Sequence, residues 1–411
     1  MNFSFILVTI YLGLLFFEPQ QFFPPLQSIR ITYIFGIFTL LWVLVFSPMD
    51  VKRNLLRSSL FRLVISFSIL CALSQFFNKS LAPEFAQYID LMTLLKALAL
   101  FLMVSLTIRT STDLIRLCWV LIIFATINSV VTIYFHHIGA LPWRLVSYFG
   151  TPGTSGSNEM ALLMVEMLPF PLLLLREKGG KSGKFFLLIS LMSFLYCLTR
   201  TRSRAGFVGL GICFLVLVLY RYLSVKQLIL ALLVVAFIFI KSPTSYFSRV
   251  STAFDEETYE EDSNVTSRIE NLKRGASIIS KYPLFGVGLG SSHWYIRARV
   301  EEKRKAFVIH NAYVHVGADS GLLAMILFSL IVVNTFRSLH RLGSKMNNQA
   351  NAGTERRMQP HLRAAAISVL GYAWMAMTLS VRFDRIFFVL IAIAISGRNF
   401  IDQKESIPKI L

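Results

Sequence analysis

Apolar runs of roughly 20 residues recur along this chain, separated by short polar segments, and each run predicts a helix across a bilayer. They lie at about 3–17, 29–47, 60–77, 89–108, 112–135, 160–175, 185–199, 205–220, 226–240, 313–336, 363–380 and 384–397, about 12 in all, with residues 205–240 the least cleanly divided. No basic stretch precedes the first run, so it reads as a retained span rather than a cleaved signal. The pattern divides the chain into residues 1–240, which hold the first nine spans, a polar, charge-dense loop at 241–312, and residues 313–411, with the last three spans and a short tail. The expected fold is therefore an all-α polytopic membrane protein with one large water-facing loop. A second polar stretch, 343–361, reads as a flexible loop between spans.

The long loop has its own pattern. Asp255-Glu256-Glu257 and Glu260-Glu261-Asp262 are runs of adjacent carboxylates with no histidine nearby, which reads as a solvated face. Ser267-Arg268-Ile269-Glu270 has the spacing of a capping box, and Val265, Ile269, Leu272, Ala276 and Ile279 then recur at helical intervals until Pro283. This predicts an amphipathic helix lying on the bilayer or on the spans, with Arg268 in its first turn. Pro283-Leu284-Phe285-Gly286-Val287-Gly288-Leu289-Gly290 follows. Its glycines suit either a tightly packed turn or a cradle of backbone N–H groups around phosphate, although the Lys-Ser/Thr ending of a nucleotide loop is absent. Ser291 to Lys305 reads as a second short helix, with Arg297–Glu301 and Glu301–Lys305 pairs four residues apart.

Composition agrees with the membrane reading. The chain is 55% hydrophobic and 15% charged, where soluble proteins carry about 25% charged residues. Its net charge of +19 is mostly a topology signal. Lysine and arginine concentrate in alternate loops, such as Lys52–Arg62, Arg176–Lys184 and Arg337–Arg363, which sets both termini inside and the long loop outside. A nucleic-acid partner is not implied. The four cysteines, Cys71, Cys118, Cys197 and Cys213, all lie in apolar runs without metal-site spacing, so neither a disulfide framework nor a metal site is expected.

Two exceptions to this apolar background carry candidate chemistry. Thr199-Arg200-Thr201-Arg202-Ser203-Arg204 packs three arginines into an outside turn. Asn311, His315 and Asp319 form a polar stripe on one face of the tenth span, with His310 just above it. Lipid does not tolerate such a stripe, so it must face protein or a wet cavity. Lys96 in the fourth span and Glu166 in the sixth fall at a similar depth below the outer surface, about 10 Å by rise per residue. A structural ion-pair network accounts for Lys96 and Glu166 but less well for the convergence of all these groups on one side.

Taken in order, the motifs resemble the O-antigen ligase and Wzy-type polymerase superfamily of bacterial envelope glycosyltransferases, over nearly the whole chain. Gly153-Thr154-Ser155-Gly156-Ser157-Asn158-Glu159 is similar to a Gly/Asn-rich start of a span, in degenerate form. Ser203-Arg204-Ala205-Gly206 matches a Ser-Arg-small-Gly element, and Arg268 followed by Pro283–Gly288 matches a loop arginine with Pro-Leu-Phe-Gly-x-Gly. His310-Asn311-Ala312-Tyr313, followed by Asp319-Ser320-Gly321-Leu322-Leu323, matches His-Asn-x-Tyr with its acidic tail. His315 stands where relatives often have glutamine.

The resemblance implies a GT-C-like fold in the bacterial inner membrane, with N-in, C-in topology and the active site on the periplasmic side. The donor would be a glycan on undecaprenyl pyrophosphate, and the acceptor a glycan such as the lipid A-core. Catalytic roles fall to Arg204 and Arg268, gripping the leaving diphosphate, and to His310, orienting or deprotonating the acceptor hydroxyl. Arg200, Arg202, Arg274, Lys281, Asn311, His315 and Asp319 become substrate-binding candidates. With arginines supplying the positive charge, neither metal nor other cofactor is implied, and the transfer inverts the sugar. Ligase and polymerase remain alternatives, with the lean towards ligase. A non-catalytic polysaccharide or lipid transporter is the reading from another class. Carriers, however, usually have repeat-related halves and sites near the midplane, and neither is visible in this chain.

Overall fold

A computed structural model of the chain describes residues 2–23, 31–77, 84–142, 144–149, 156–177, 179–220, 222, 229, 263–299, 308–348 and 353–405. Among them regular structure is helical, without strands: α1 (Phe3–Phe17), α2 (Ile31–Phe46), α3 (Met49–Arg57), α4 (Ser59–Phe77), α5 (Glu84–Thr107), α6 (Ser111–His137), α7 (Ser157–Met167), α8 (Pro169–Leu174), α9 (Lys181–Thr201), α10 (Arg204–Leu219), α11 (Ser263–Lys281), α12 (Ser292–Arg297), α13 (Ala312–Ser320), α14 (Leu322–Asn348), α15 (Gly353–Ala376) and α16 (Arg385–Glu405). Each expected span falls on helix except the ninth, 226–240, which lies outside the described residues apart from Ile229. The acidic run from Asp255 to Asp262, the pairs made by Glu301 and Lys305, and Gly153-Thr154-Ser155 also lie outside them.

Among the described residues, six helical stretches are long and apolar enough to cross a bilayer: α4, Tyr88–Thr107 of α5, α6, Ser157–Leu174 across α7 and α8, α9, and Leu322–Met346 of α14. α2 and α3 qualify together but bend by 101°, and α1 and α10 are apolar but shorter. Length and apolarity thus carry six of the expected spans, or seven with the bent pair, and make the chain a multi-pass membrane protein. Its outward faces agree. Ile34, Ile37, Leu41 and Val45 of α2 are all more than half exposed, as suits side chains that meet lipid rather than water. α16 is the opposite case, with Phe387 through Ile395 all buried. A helix that is apolar all round belongs in the middle of a bundle.

Three expectations change. The polar stretch 343–361 is helical where described, because α14 runs on to Asn348 and α15 starts at Gly353. Leu339, Leu342 and Met346 of α14 and Met358 and Leu362 of α15 continue the core there, and Gln359 Nε2 donates to the Gly343 carbonyl at 3.1 Å. The predicted capping box is not a cap, since α11 already begins at Ser263 and carries Arg268 in its second turn. The tenth span is broken, because α13 ends at Ser320 and α14 starts at Leu322.

The break sits at Gly321, whose φ of 92° favours glycine. Any Cβ there would stand 2.2 Å from the Leu284 carbonyl oxygen. The Gly321→Ala variant should therefore lose stability by at least the ~1–3 kcal/mol of a strained backbone site. Thermal unfolding of the detergent-solubilised protein checks this, with an unchanged midpoint as the contrary result.

Candidate functional site

The arginine cluster forms a tight helix–turn–helix. α9 ends on Arg202, a left-handed residue with φ 52°, and Ser203 caps α10 by accepting from the Gly206 amide at 3.2 Å. Gly206 leaves no room for a side chain, as a Cβ would lie 2.9 Å from both Ala161 and Leu198. The turn is pinned from both sides. The Leu145 amide donates to the Arg200 carbonyl at 3.1 Å, and Arg144 Nε donates to the Thr201 carbonyl at 3.3 Å. Arg200 itself donates to Tyr196 Oη at 3.1 Å, and that hydroxyl is 2.9 Å from His137 Nε2. Arg202 and Arg204 are half-buried. Arg204 thus occupies the first turn of α10.

The second arm is the start of α13. Asn311 is its N-cap, accepting from the Val314 amide at 3.0 Å, so His310 immediately precedes the cap. α11 packs across this point. A Cβ on Gly275 would lie 2.8 Å from Val314 and 3.0 Å from Ile309, and Asn271 Nδ2 donates to the Val308 carbonyl at 3.4 Å. That packing brings the Arg268 guanidinium within electrostatic range of His310. The ring is half-buried, and burial together with the Arg268 guanidinium pulls its pKa down to about 4. His310 is therefore neutral at pH 7.

The side of α11 that meets protein is offset from the predicted apolar one, of which Ile279 takes part in the packing. Asn271, Gly275 and Ile278 are buried, while Ile269 and Leu272 are 39% exposed. Arg274 is bound to its own helix, to Glu270 at 3.2 Å and Asn271 Oδ1 at 3.1 Å. Lys281 ends α11, about 20 Å along its axis from Arg268 at 1.5 Å per residue.

One helix ties the two arms together. Trp374 Nε1 of α15 donates to the Ala205 carbonyl at 3.1 Å, and Tyr313 Oη donates to the carbonyl of the adjacent Ala373 at 3.3 Å. The N-termini of α10 and α13 therefore converge on one turn of α15.

Asp319 lies below this point as a fully buried hub. Its oxygens accept from the Gly290 amide at 2.9 Å and the Ser292 amide at 3.0 Å, and one stands 3.1 Å from Arg382 Nη1. Arg382 reaches on to Asp90 at 2.9 Å. His315 has Nε2 3.4 Å from the Asp319 carboxylate and its Nδ1 against Ser380 Oγ. Among the expected substrate-binding residues, His315 and Asp319 are thus buried and engaged within the protein, and their contacts hold the loop in place.

The glycine-rich turn closes over the same hub. The amides of Gly286, Val287 and Gly288 donate to the carbonyls of Tyr282, Ala318 and Asp319 at 3.0, 2.9 and 2.9 Å. With Gly290 on the Asp319 carboxylate, four N–H groups that a phosphate cradle would need are spent on protein. The turn is tight packing, as at Gly290, where φ is 73° and a Cβ would lie 2.1 Å from Asp90.

Sequence reasoning missed Asp90, Arg382 and Ser74, whose hydroxyl donates to the Phe285 and Asp319 carbonyls at 2.6 Å. Arg382 follows the eleventh expected span, on the outer side of the expected topology. Its signal was available: a cation on the side that the positive-inside bias disfavours calls for a carboxylate partner. Lys96 and Glu166 do not pair with each other. Lys96 stands 4.5 Å over the Tyr33 ring, and Glu166 is fully buried.

Residues 187–329 match the O-antigen ligase family model. The match bears out the resemblance read from the motifs and supports an O-antigen ligase- or polymerase-type function. It spans α9 to the first turns of α14, and so contains the arginine turn, Arg268, the glycine turn, His310 and Asp319. Asp90 and Arg382 lie outside it, so the matched segment takes the partners of its buried Asp319 from the rest of the chain. No curated protein matches the chain.

Proposed function

We propose that this protein is an O-antigen ligase-like glycosyltransferase of the bacterial inner membrane. It transfers a glycan from undecaprenyl pyrophosphate to an acceptor sugar, such as that of the lipid A-core, at the periplasmic face. The observation that carries this reading is His310, at a helix start tied to the same turn of α15 as Arg204, lying within electrostatic range of Arg268. Helix N-termini attract anions, and a cation in the first turn of a helix is locally unfavourable. Arg204 at the start of α10 makes sense where an anion sits in front of it.

In the reaction an acceptor hydroxyl oxygen attacks the anomeric carbon. The bond from that carbon to the pyrophosphate oxygen breaks, and the electron pair leaves with the polyprenyl pyrophosphate. Inversion follows from a single displacement. Arg204 and Arg268 stabilise the charge that grows on the leaving group, so the step requires no metal ion. His310 accepts the acceptor proton. Donor binding also tunes this base. Once the diphosphate offsets the Arg268 charge, the electrostatic part of the depression on His310 is relieved and its basicity rises.

The arginines are testable by charge-preserving substitution. Arg204→Lys and Arg268→Lys should both be impaired, because lysine keeps the charge but loses the bidentate fork. The alanine variants should lose more, about 2–4 kcal/mol of transition-state stabilisation each. Turnover with purified lipid-linked glycan measures this, and wild-type turnover by folded Arg268→Ala would remove that residue from the site.

pH dependence follows from His310. A base acts when deprotonated, so activity falls as pH drops through its pKa. In the free enzyme that pKa is about 4 rather than 6.5. The acid limb of kcat/KM should therefore lie well below pH 6, with the limb of kcat displaced upward. A kcat/KM limb at pH 6.5 or above contradicts the assignment.

A further inference from the structure

Far from the hub, a cavity of about 320 Å³ opens between the α3–α4 junction, α14 and α16. Arg337, Arg341, Lys345 and Arg398 line it, with Ser58 and Ser59 from the junction, and among the described residues that line it none is a carboxylate. Arg337, Arg341 and Lys345 recur every four residues, so they form one row on α14 with neighbours about 5–6 Å apart. Arg398 faces that row from α16. The row begins about 24 Å along α14 from the Gly321 break, at 1.5 Å per residue, so the cavity is no part of the site above.

Two observations say what fits it. The first is its level in the membrane. α3, which ends immediately before Ser58, is turned by 101° from α2, and it carries Asp50, Lys52, Arg53 and Arg57 alongside Met49 and Leu56, which are 73% and 61% exposed. A short helix of that composition, turned across the axis of its neighbour, lies in the plane of the headgroups. The cavity therefore opens at headgroup depth. The second is the surface leading from it towards the membrane centre. Leu330 and Val333, one to two turns before Arg337 on α14, are each 41% exposed and apolar. They offer a track for hydrocarbon beside a pocket for an anion.

We propose that this cavity binds the phosphate headgroup of an anionic phospholipid, with its acyl chains lying along Leu330 and Val333. Basic pockets between membrane helices recognise lipid phosphates through such clustered cations. The site belongs to the leaflet opposite the hub, so it serves as an anchor for resident lipid and not as a second donor site.

The test is native mass spectrometry of the full-length protein released from bilayers of phosphatidylcholine with phosphatidylglycerol, counting bound lipid of each kind. The Arg337→Gln/Arg341→Gln variant should bind phosphatidylglycerol about 30-fold more weakly, from two arginines at about 1 kcal/mol each. Lys52→Gln/Arg53→Gln, which removes equal charge from α3 outside the cavity, should keep the bound lipid. Arg337→Lys/Arg341→Lys should also keep it, and serves as the variant that tests the site should the glutamine protein fail to fold. Equal phosphatidylglycerol occupancy in the wild type and the folded glutamine variant would overturn the proposal, as would loss from both lysine-bearing and glutamine-bearing variants alike. Displacement of the lipid by millimolar inorganic phosphate would assign the cavity to a soluble anion instead and overturn the lipid reading.

Discussion

Replacing His310 with alanine should slow glycan transfer by about 10²–10⁴-fold, the usual contribution of a positioned general base. The expectation rests on where the ring is held. Asn311 caps α13 immediately after it, Asn271 of α11 grips the preceding Val308 carbonyl, and the Arg268 charge lies within electrostatic range of it. None of the caps and packing contacts of α13 uses the imidazole, so the alanine variant should fold. Donor affinity should stay nearly unchanged, because the arginines rather than His310 are assigned to the diphosphate. Single-turnover rates and donor binding, measured on the same preparation, separate the two. A loss confined to donor binding would move His310 to the leaving-group side.

Arg382→Ala should be the most destabilising change at the hub. Arg382 and Asp319 are almost wholly enclosed, at 6% and 0% side-chain exposure. Removing one member of a buried pair leaves the other charge uncompensated, which typically costs about 3–5 kcal/mol. The Asp319 carboxylate also holds the Gly290 and Ser292 amides, so the glycine turn should loosen with it. The double variant Arg382→Gln/Asp319→Asn removes both charges and keeps hydrogen-bonding groups, and it should be less destabilised than Arg382→Ala alone. Thermal unfolding in detergent ranks the three proteins. A double variant worse than the single would mean that each residue contributes separately rather than as a pair.

What the chain disclosed in advance, and what it withheld, follows from the range of the interactions involved. Hydrophobic length placed helices over every described span, because burying backbone in lipid leaves few alternatives. The Asn311–His315–Asp319 stripe was legible for the same reason: a polar face in an apolar run has to meet protein. The break at Gly321 was not, since Asp319-Ser320-Gly321-Leu322-Leu323 continues the apolar periodicity and only the approach of Leu284 from the loop demands a positive φ there. The packed side of α11 was not legible because it uses Asn271 and Gly275, which serve a hydrogen bond and a close approach rather than apolar burial, while the apolar Ile269 and Leu272 stay exposed, as the bilayer alternative allows. Asp90 and Arg382 were invisible as partners because they are distant in sequence from Asp319 and from each other. Arg204 stood out through the three-arginine turn as well as its motif, whereas Arg268 was assigned a role only through its place in the ordered motifs.

The most direct test of the central claim reconstitutes purified protein with an undecaprenyl-pyrophosphate-linked oligosaccharide and a lipid A-core acceptor, and follows release of undecaprenyl pyrophosphate together with glycosylation of the acceptor. The account predicts stoichiometric release and transfer by the wild type, undiminished by EDTA, and neither from folded His310→Ala or Arg268→Ala protein. Transfer that persists in both variants, or that collapses in EDTA and returns with Mg²⁺, would contradict it.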